Sequence, residues 1–452
     1  MKNNKKISAK YVFFILIFLI ILIGTSYYIY LRYIDKKFSN VIYPGVIAES
    51  IDLSGLSKIQ AANLLKETLV NSLEDKVLIL KSLNNTYELS YTDISASLNI
   101  DAVINEAYNY GKDMNLFEKS KQINGKYPNV LPVIFTFDST AITNIVATIE
   151  SETNRDSSNS TLKRISYGNF EVTPELSSIV VDTETLNKNI LDSINRDSPN
   201  ETIIDVPISE TKPPITSDLL NKVNTKISSH TTAMDNSPNR NHNIILSTSV
   251  INGRLLMPGE EFSFNDMLGD TTADKGYKSA NIIVDNKIKE DYGGGICQVS
   301  TTLFNAIIKA GIAASELHHH TLPSIYAPLG LDATIDYTTA DYKFINTLDS
   351  PIFIEGYTTY NSVTFDIFSD SSFLEKQYSF ESKTIETIPL KTENVFDSTL
   401  PIGSTKIDVY GTPGYRVEVY KITKDINGSL LSRNLSYSHF YKPVTRIIKF
   451  NK

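Results

Sequence analysis

The 452-residue chain has one cysteine and no tryptophan. A single thiol excludes an intramolecular disulfide, so stability has to come from packed cores. Positive charge is outnumbered: 43 Lys and Arg face 51 Asp and Glu, a formal net charge of −8, or −12 once the four lysines of residues 1–10 are set aside. An acidic body lacks the basic face that nucleic acid requires, so no nucleic-acid partner is expected. One segment is apolar throughout. Residues 11–31 carry no charge and match the ~20 residues that span a bilayer. Lys2, Lys5, Lys6 and Lys10 precede this run, and Tyr27, Tyr28 and Tyr30 near its end fit an aromatic belt. A cleavable signal peptide has a shorter apolar core that ends in small residues, whereas this run ends Ser26-Tyr-Tyr-Ile-Tyr-Leu31. The expectation is a cytoplasmic tail over 1–10, a single-pass anchor in the cell membrane over 11–31, and everything after about Arg32 outside the cell.

The remaining length exceeds what one core serves, which predicts several domains. Ser57 reads as the N-cap of a helix that buries Ala61, Leu64, Leu65 and Leu69. Strands at Val77–Leu80 and Tyr87–Tyr91 and a helix over 101–110 follow. Residues 133–208 repeat this grammar loosely, with a strand near 134–137, helices near 139–152 and 183–194, and a strand near 169–173. Two small α+β modules are therefore expected, over 40–125 and 130–212. Neither clusters catalytic side chains. The paired prolines of Glu210-Thr-Lys-Pro-Pro-Ile215 mark a stiff linker.

Past the linker the cysteine stands in Tyr292-Gly-Gly-Gly-Ile-Cys297-Gln-Val-Ser-Thr-Thr302. Val299, Leu303, Ala306, Ile307 and Ala310 recur at helical spacing, with Gly311 as a stop, so Cys297 falls in a first turn. Unpaired N–H groups and the helix dipole favour a thiolate there, and the thiolate is the nucleophile. Gly293, Gly294 and Gly295 would let a substrate backbone approach. A buried structural cysteine behind a tight turn is the competing reading.

Half of the six histidines form one tripeptide, His318-His319-His320. In a strand, His318 and His320 would share a face while His319 turns away, so either could serve the thiol as a base. Zinc is the rival explanation, but structural sites spread several ligands over two anchors and this chain offers one sulfur, so no metal is expected. Asp332 follows a Pro/Gly turn before an expected strand over 333–337, where it would either orient an imidazole or cap the turn. Strands at Lys343–Ile345 and Ile352–Tyr357 would complete an antiparallel sheet behind the helix. Tyr277, Lys278, Tyr292, Tyr326 and Gln298 join the three glycines as candidate substrate contacts.

From about Thr231 to Tyr357 the chain resembles the VanW domain family. The resemblance runs through Asn239-Arg240, Asn243-Ile244, Asn252-Gly253, Pro258-Gly-Glu260, Phe262-Ser-Phe-Asn265 and Gly276-Tyr-Lys278. It continues in Gly293-Gly-Gly-Ile-Cys-Gln-Val-Ser-Thr-Thr-Leu303, His318-x-His320, Tyr326-x-Pro328-x-Gly330-x-Asp-Ala-Thr334, and Asp341 with Lys343-Phe344. Leu317 stands where the family usually has arginine. Residues 42–208 resemble the peptidoglycan-binding modules that often precede this domain, and 390–452 resemble a G5-type β module.

The resemblance implies an α+β multidomain ectodomain facing the cell wall, with a VanW domain over 225–365 and a G5-like module over 380–452. In the VanW domain a cysteine at a helix N-terminus would pack on an antiparallel sheet. It also implies a cysteine L,D-transpeptidase that needs no cofactor. Cys297 would form a thioester with a tetrapeptide stem, and a second stem's amine would resolve it into a 3–3 cross-link. His318 or His320 would move the proton, Asp332 would orient the imidazole, and backbone N–H groups near Gly295–Gln298 would hold the oxyanion. The same chemistry resolved by water would be an L,D-carboxypeptidase. A non-catalytic wall-binding protein of glycopeptide-resistance type is the reading from another class.

Overall fold

The computed structural model describes residues 9–284 and 287–452. Lys2, Lys5 and Lys6 of the expected tail lie outside the described residues. The chain divides into two compact units, one of Met1–Ser157 with Ser177–Thr211, the other of Ser158–Leu176 with Lys212–Lys452.

In the first unit a helix spans Ala9–Lys37 and is long and apolar enough to cross a membrane. It extends past the expected end at Leu31, because its last turns find partners within the unit. Leu31 and Ile34 are buried, and Asp35 pairs with Lys119 of the helix Leu116–Gly125 at 3.1 Å. Ser57 caps Lys58–Leu65 in a reciprocal box with Gln60.

The two cores of this unit do not follow each other along the chain as modules over 40–125 and 130–212 would. One core gathers Ile42, Val46, Leu53, Ala61, Leu65, Val103, Ala107 and Leu131. The other joins Leu78, Leu80 and Leu89 to Ile142, Val146, Leu186, Ile190 and Ile204. The strand Glu201–Asp205 pairs in parallel with Val77–Ser82, which pairs antiparallel with Asn85–Ser90. Repeated strand–helix grammar therefore reflects two interleaved cores: a strand with one apolar face is satisfied by whichever helices cover it, near in sequence or far.

The second unit is built on an antiparallel sheet with strand order Thr225–Ala233, Ser362–Ser369, Ile352–Thr358, Arg254–Leu256. The helix Ile296–Lys309, which carries Cys297, and the helix Pro238–Ile251 cover one face, burying Val299, Leu303, Ile307 and Ile244 against Ile354, Phe365 and Ile367. Lys343–Ile345 does not extend this sheet. It pairs with Glu261–Ser263 and Ala314–Glu316 in a separate one. The reason lies in the turn before Ile352, where Pro351 has no N–H to donate and Asn346 Nδ2 donates to Leu256 O and Ser350 O. A second sheet, Lys376–Ile388, Gly414–Asp425 and Leu430–Tyr441, follows in the same unit, with a smaller one of Thr392–Phe396, Arg446–Phe450 and Thr405–Val409.

One hairpin of this unit, Thr161–Ser166 with Asn169–Thr173, comes from inside the 130–212 segment. Phe353, Glu355, Asp366 and Phe368 alternate with core residues and point to the opposite face of the sheet, and the hairpin covers them. Arg164 pairs with the buried Glu355, and the Tyr167 hydroxyl donates to the buried Asp366. The Phe170 ring meets Phe353 and Phe368 at centroid distances of 4.8 and 5.3 Å. Glu355 and Asp366 are cross-strand partners, so this cover also offsets two carboxylates brought together in a dry place. Phe170→Ala is expected to lower the stability of this unit by about 2 kcal/mol. A urea midpoint unchanged from wild type would contradict that expectation.

Candidate active site

The cysteine helix begins abruptly because Gly295, at φ 106°, turns the chain in the left-handed region. The fold itself requires glycine in this turn. A Cβ on Gly295 would lie 2.9 Å from Arg240 Cγ and 3.1 Å from Ile244 Cγ1, and one on Gly294 would lie 2.8 Å from Asn281 O. The turn is thus pressed against the helix Pro238–Ile251. Buried Asn243 fixes it there, with Nδ2 donating to Lys278 O and Gly294 O while the Lys278 N–H donates to Oδ1.

The buried face of the cysteine helix carries Gln298, Ser300, Thr301, Thr302 and Asn305 among its apolar residues. Three of these side chains, Ser300, Thr301 and Asn305, lash the segment 331–333 across the helix. Asn305 Nδ2 donates to Leu331 O. Ser300 and Thr301 hydroxyls donate to Ala333 O, and the Ala333 N–H donates back to Thr301 Oγ1. The expected strand over 333–337 is therefore an irregular loop, because its backbone groups are taken by side chains rather than by a ladder. The Thr334 N–H donates to His318 O. The strand before the histidines ends at Glu316, so the alternation expected of them does not apply.

This lashing places Asp332 under the histidines. His320 Nδ1–H and the His320 backbone N–H both donate to Asp332 Oδ2 at 2.7 Å. The other edge of the His320 ring lies close enough to the Cys297 sulfur for its charge and polarity to act on the thiol, and the Tyr326 hydroxyl lies 3.3 Å from His320 Nε2. Cys297 is partly exposed, with Sγ 3.5 Å from Thr334 Oγ1 and 3.6 Å from Ile335 O.

Electrostatics follow from this arrangement. Burial alone would push the Cys297 thiol up, but the polarity and charge of His320 bring it down to about 7. Burial likewise opposes a charged His320, yet the hydrogen bond to Asp332 and the nearby Cys297 sulfur raise it to about 10. Asp332 is 1% exposed. Burial would raise its carboxyl, and the close His319 ring with hydrogen bonds from His320 and Tyr441 instead hold it far below the usual carboxylate range. Between about pH 7 and pH 10 the favoured state is a thiolate–imidazolium pair backed by a buried carboxylate.

The other candidates are dispersed. His318 is exposed and pairs with Glu316 at 3.0 Å, away from the sulfur. His319 does not turn away; its Nδ1 lies 3.3 Å from Asp332 Oδ1. Gln298 is buried and donates to Thr232 Oγ1 and Ala233 O, and Tyr277 belongs to the core. Lys278 and Tyr292 are exposed. Arg240 was not among the candidates, although its guanidinium stands 5.8 Å above the Tyr326 ring; its motif Asn239-Arg240 was the available signal. Among the described residues no group of three His, Cys, Asp or Glu side chains is disposed to hold a metal ion.

Residues 239–368 match the family model described as "VanW like protein". The chain carries a VanW-like domain. Before it, residues 87–202 match a model described as "Putative peptidoglycan binding domain", and after it residues 381–451 match the G5 domain. The peptidoglycan-binding match is a single one that runs across both expected modules. A Bacillus subtilis (strain 168) protein with the name "Uncharacterized protein YoaR" is 42% identical over 153 residues, 33% of this chain and 50% of that protein. The "Vancomycin B-type resistance protein VanW" of Enterococcus faecalis (strain ATCC 700802 / V583) is 30% identical over 116 residues, 25% of this chain and 42% of that protein. The chain thus spans about half the length of the curated relatives it matches. Two solved structures align with it. The IgA1 protease G5 domain is 20% identical over 17% of this chain and 92% of that structure, at a TM-score of 0.13. HP0197-G5 is 24% identical over 17% of this chain and 99% of that structure, at a TM-score of 0.11. The VanW-like domain, the peptidoglycan-binding match and the apolar helix together describe a cell-wall-associated protein with a membrane anchor or signal peptide.

Proposed function

We propose that the VanW-like domain is a cysteine L,D-transpeptidase acting on peptidoglycan stem peptides. The observation that carries this reading is the chain of contacts from a partly exposed Cys297 through His320 to buried Asp332. The Cys297 thiolate attacks the carbonyl that links the third residue of a tetrapeptide stem to its terminal D-Ala. The His320 imidazolium gives its proton to the departing amine, leaving a thioester and neutral imidazole. His320 then takes a proton from the attacking amine of a second stem, the new amide forms, and the thiolate is restored. Asp332 holds the imidazole through Nδ1 and stabilises its charge.

The oxyanion needs donors at the helix start. The Ile296 N–H is taken by Gly293 O and the Gln298 N–H by Gly295 O. The Cys297 N–H, in the first turn and aimed along the helix dipole, is left as an open donor beside the sulfur. Arg240 supplies a cation beside Tyr326, with Asp235 no nearer than 3.9 Å. We assign it to the carboxylate of the departing D-Ala.

The test is a mass measurement. Incubated with a tetrapeptide stem, the protein should gain a tripeptidyl thioester on Cys297, and the same stem capped as a C-terminal amide should load far more slowly. No adduct from either stem overturns the reading and favours a wall-binding role, which the peptidoglycan-binding match supports independently. An adduct that only water resolves makes the protein a carboxypeptidase.

A further inference from the structure

We infer that the C-terminal β module completes the catalytic site, with Tyr441 as a positioning residue that fixes the Asp332 carboxylate. This rests on the Cys297–His320–Asp332 reading and adds to it a member from a different domain match. Tyr441 ends the strand Leu430–Tyr441 and is 1% exposed. Its hydroxyl donates to Asp332 Oδ1 at 2.5 Å and accepts the Gly330 N–H at 2.7 Å. The same strand gives Tyr437, whose hydroxyl donates to Gly330 O at 2.6 Å. From the strand Lys376–Ile388 at the far edge of the same sheet, the Ser382 hydroxyl donates to Leu329 O. Gly330 itself sits at φ +81°, and a Cβ there would lie 2.9 Å from Val419 Cγ2 and 3.2 Å from Val417 Cγ2. The turn that delivers Asp332 is therefore seated on the C-terminal sheet by both its hydrogen bonds and its packing.

The chemistry explains why such a seat matters. A carboxylate has two oxygens, and His320 occupies only Oδ2. Left with a weakly held Oδ1, a buried carboxylate turns to find another donor, and the His320 contact loses its alignment. The nearest alternative is His319, at 3.3 Å from Oδ1, packed at a tilt against His439 with ring centroids 4.3 Å apart. A short, charge-assisted bond from a buried phenol fixes Oδ1 without adding a charge. Tyr441 touches neither sulfur nor substrate; it acts through Asp332.

The single cysteine gives a clean readout, since iodoacetamide can alkylate only Cys297. In the full-length protein, Tyr441→Phe is expected to raise the pH midpoint of Cys297 alkylation by about one unit and to slow alkylation near pH 7 by about fivefold. Thermal unfolding should stay close to wild type. Tyr437→Phe, which also frees a group on the Gly330 turn but does not touch Asp332, should leave the midpoint in place. An alkylation profile of Tyr441→Phe that overlays wild type overturns the inference. So does an equal shift in Tyr437→Phe, which would trace the effect to the turn's packing. His320→Gln separates the two claims: if it leaves the profile unmoved the underlying pair is wrong, and if it shifts the profile while Tyr441→Phe does not, only the role of Tyr441 fails. Should Tyr441→Phe fold poorly, Tyr441→Trp, with its indole N–H donor, offers a second variant that should preserve the wild-type midpoint better than Tyr441→Leu; equal midpoints in the two would overturn the inference.

Discussion

Cys297→Ala protein is expected to make no 3–3 cross-linked dimer from purified muropeptides, a loss of at least about 10⁴ in rate. The size follows from the composition of the chain. With one sulfur in 452 residues, no second thiol can take over. Nor are the hydroxyls of the same helix ready to substitute: Ser300, Thr301 and Thr302 are buried and committed to backbone carbonyls. Cys297→Ser makes a sharper comparison, because it keeps the position and the His320 contact. An alcohol is far less acidic than a thiol, so the imidazolium that stabilises a thiolate at about 7 leaves the serine protonated, and most of the loss should remain. Both variants should fold, since Sγ makes only long contacts to Thr334 and Ile335. Dimer formation by Cys297→Ala at more than a few per cent of the wild-type rate would remove the cysteine from the mechanism.

The start of the cysteine helix was legible in the sequence because its signals are local: three glycines, then apolar residues at helical spacing. Asp332 was legible as a candidate but not as a contact. Its place depends on Ser300, Thr301 and Asn305 reaching backbone groups of residues 331–333, and a polar stripe on a helix does not announce what it will bind. The same gap explains the histidines. Strand alternation put His318 and His320 on one face, but the strand stops at Glu316, and past that point Asp332 decides the orientation. Both His319 and His320 turn toward it, and His318 goes to Glu316.

Long-range assembly was the least legible. Strand Glu201–Asp205 pairs with Val77–Ser82, and the hairpin around Tyr167 leaves its sequence neighbours to cover Glu355 and Asp366. Both choices satisfy exposed sheet surface and buried charge, and neither leaves a trace in local periodicity. At the glycines the packing was equally illegible: a Cβ on Gly294 would meet Asn281, and one on Gly295 would meet Arg240 and Ile244.

Asp332→Asn carries the second large expected effect, and its sign can be worked out. In the wild type the thiolate forms as pH rises through about 7, and the imidazolium persists until about 10. Between these limits the reactive pair is intact, so alkylation of Cys297 should rise through pH 7 and level off above it. Asparagine keeps the shape at 332 and removes the charge. Burial, which already opposes a charged His320, then prevails, and His320 falls toward or below its ordinary value near 6.5. Cys297 loses its cation while its own burial remains, so its midpoint should climb by about two units, past the ordinary thiol value. At pH 7 alkylation slows about 50-fold by that shift alone. Turnover should fall further, toward about 10⁴-fold, because the imidazole also loses the partner that fixes its tautomer. Raising the pH to 9 should recover much of the alkylation and little of the turnover, since the thiolate returns but the proton donor does not. A profile for Asp332→Asn that still rises through pH 7 would show that Asp332 caps its turn and nothing more.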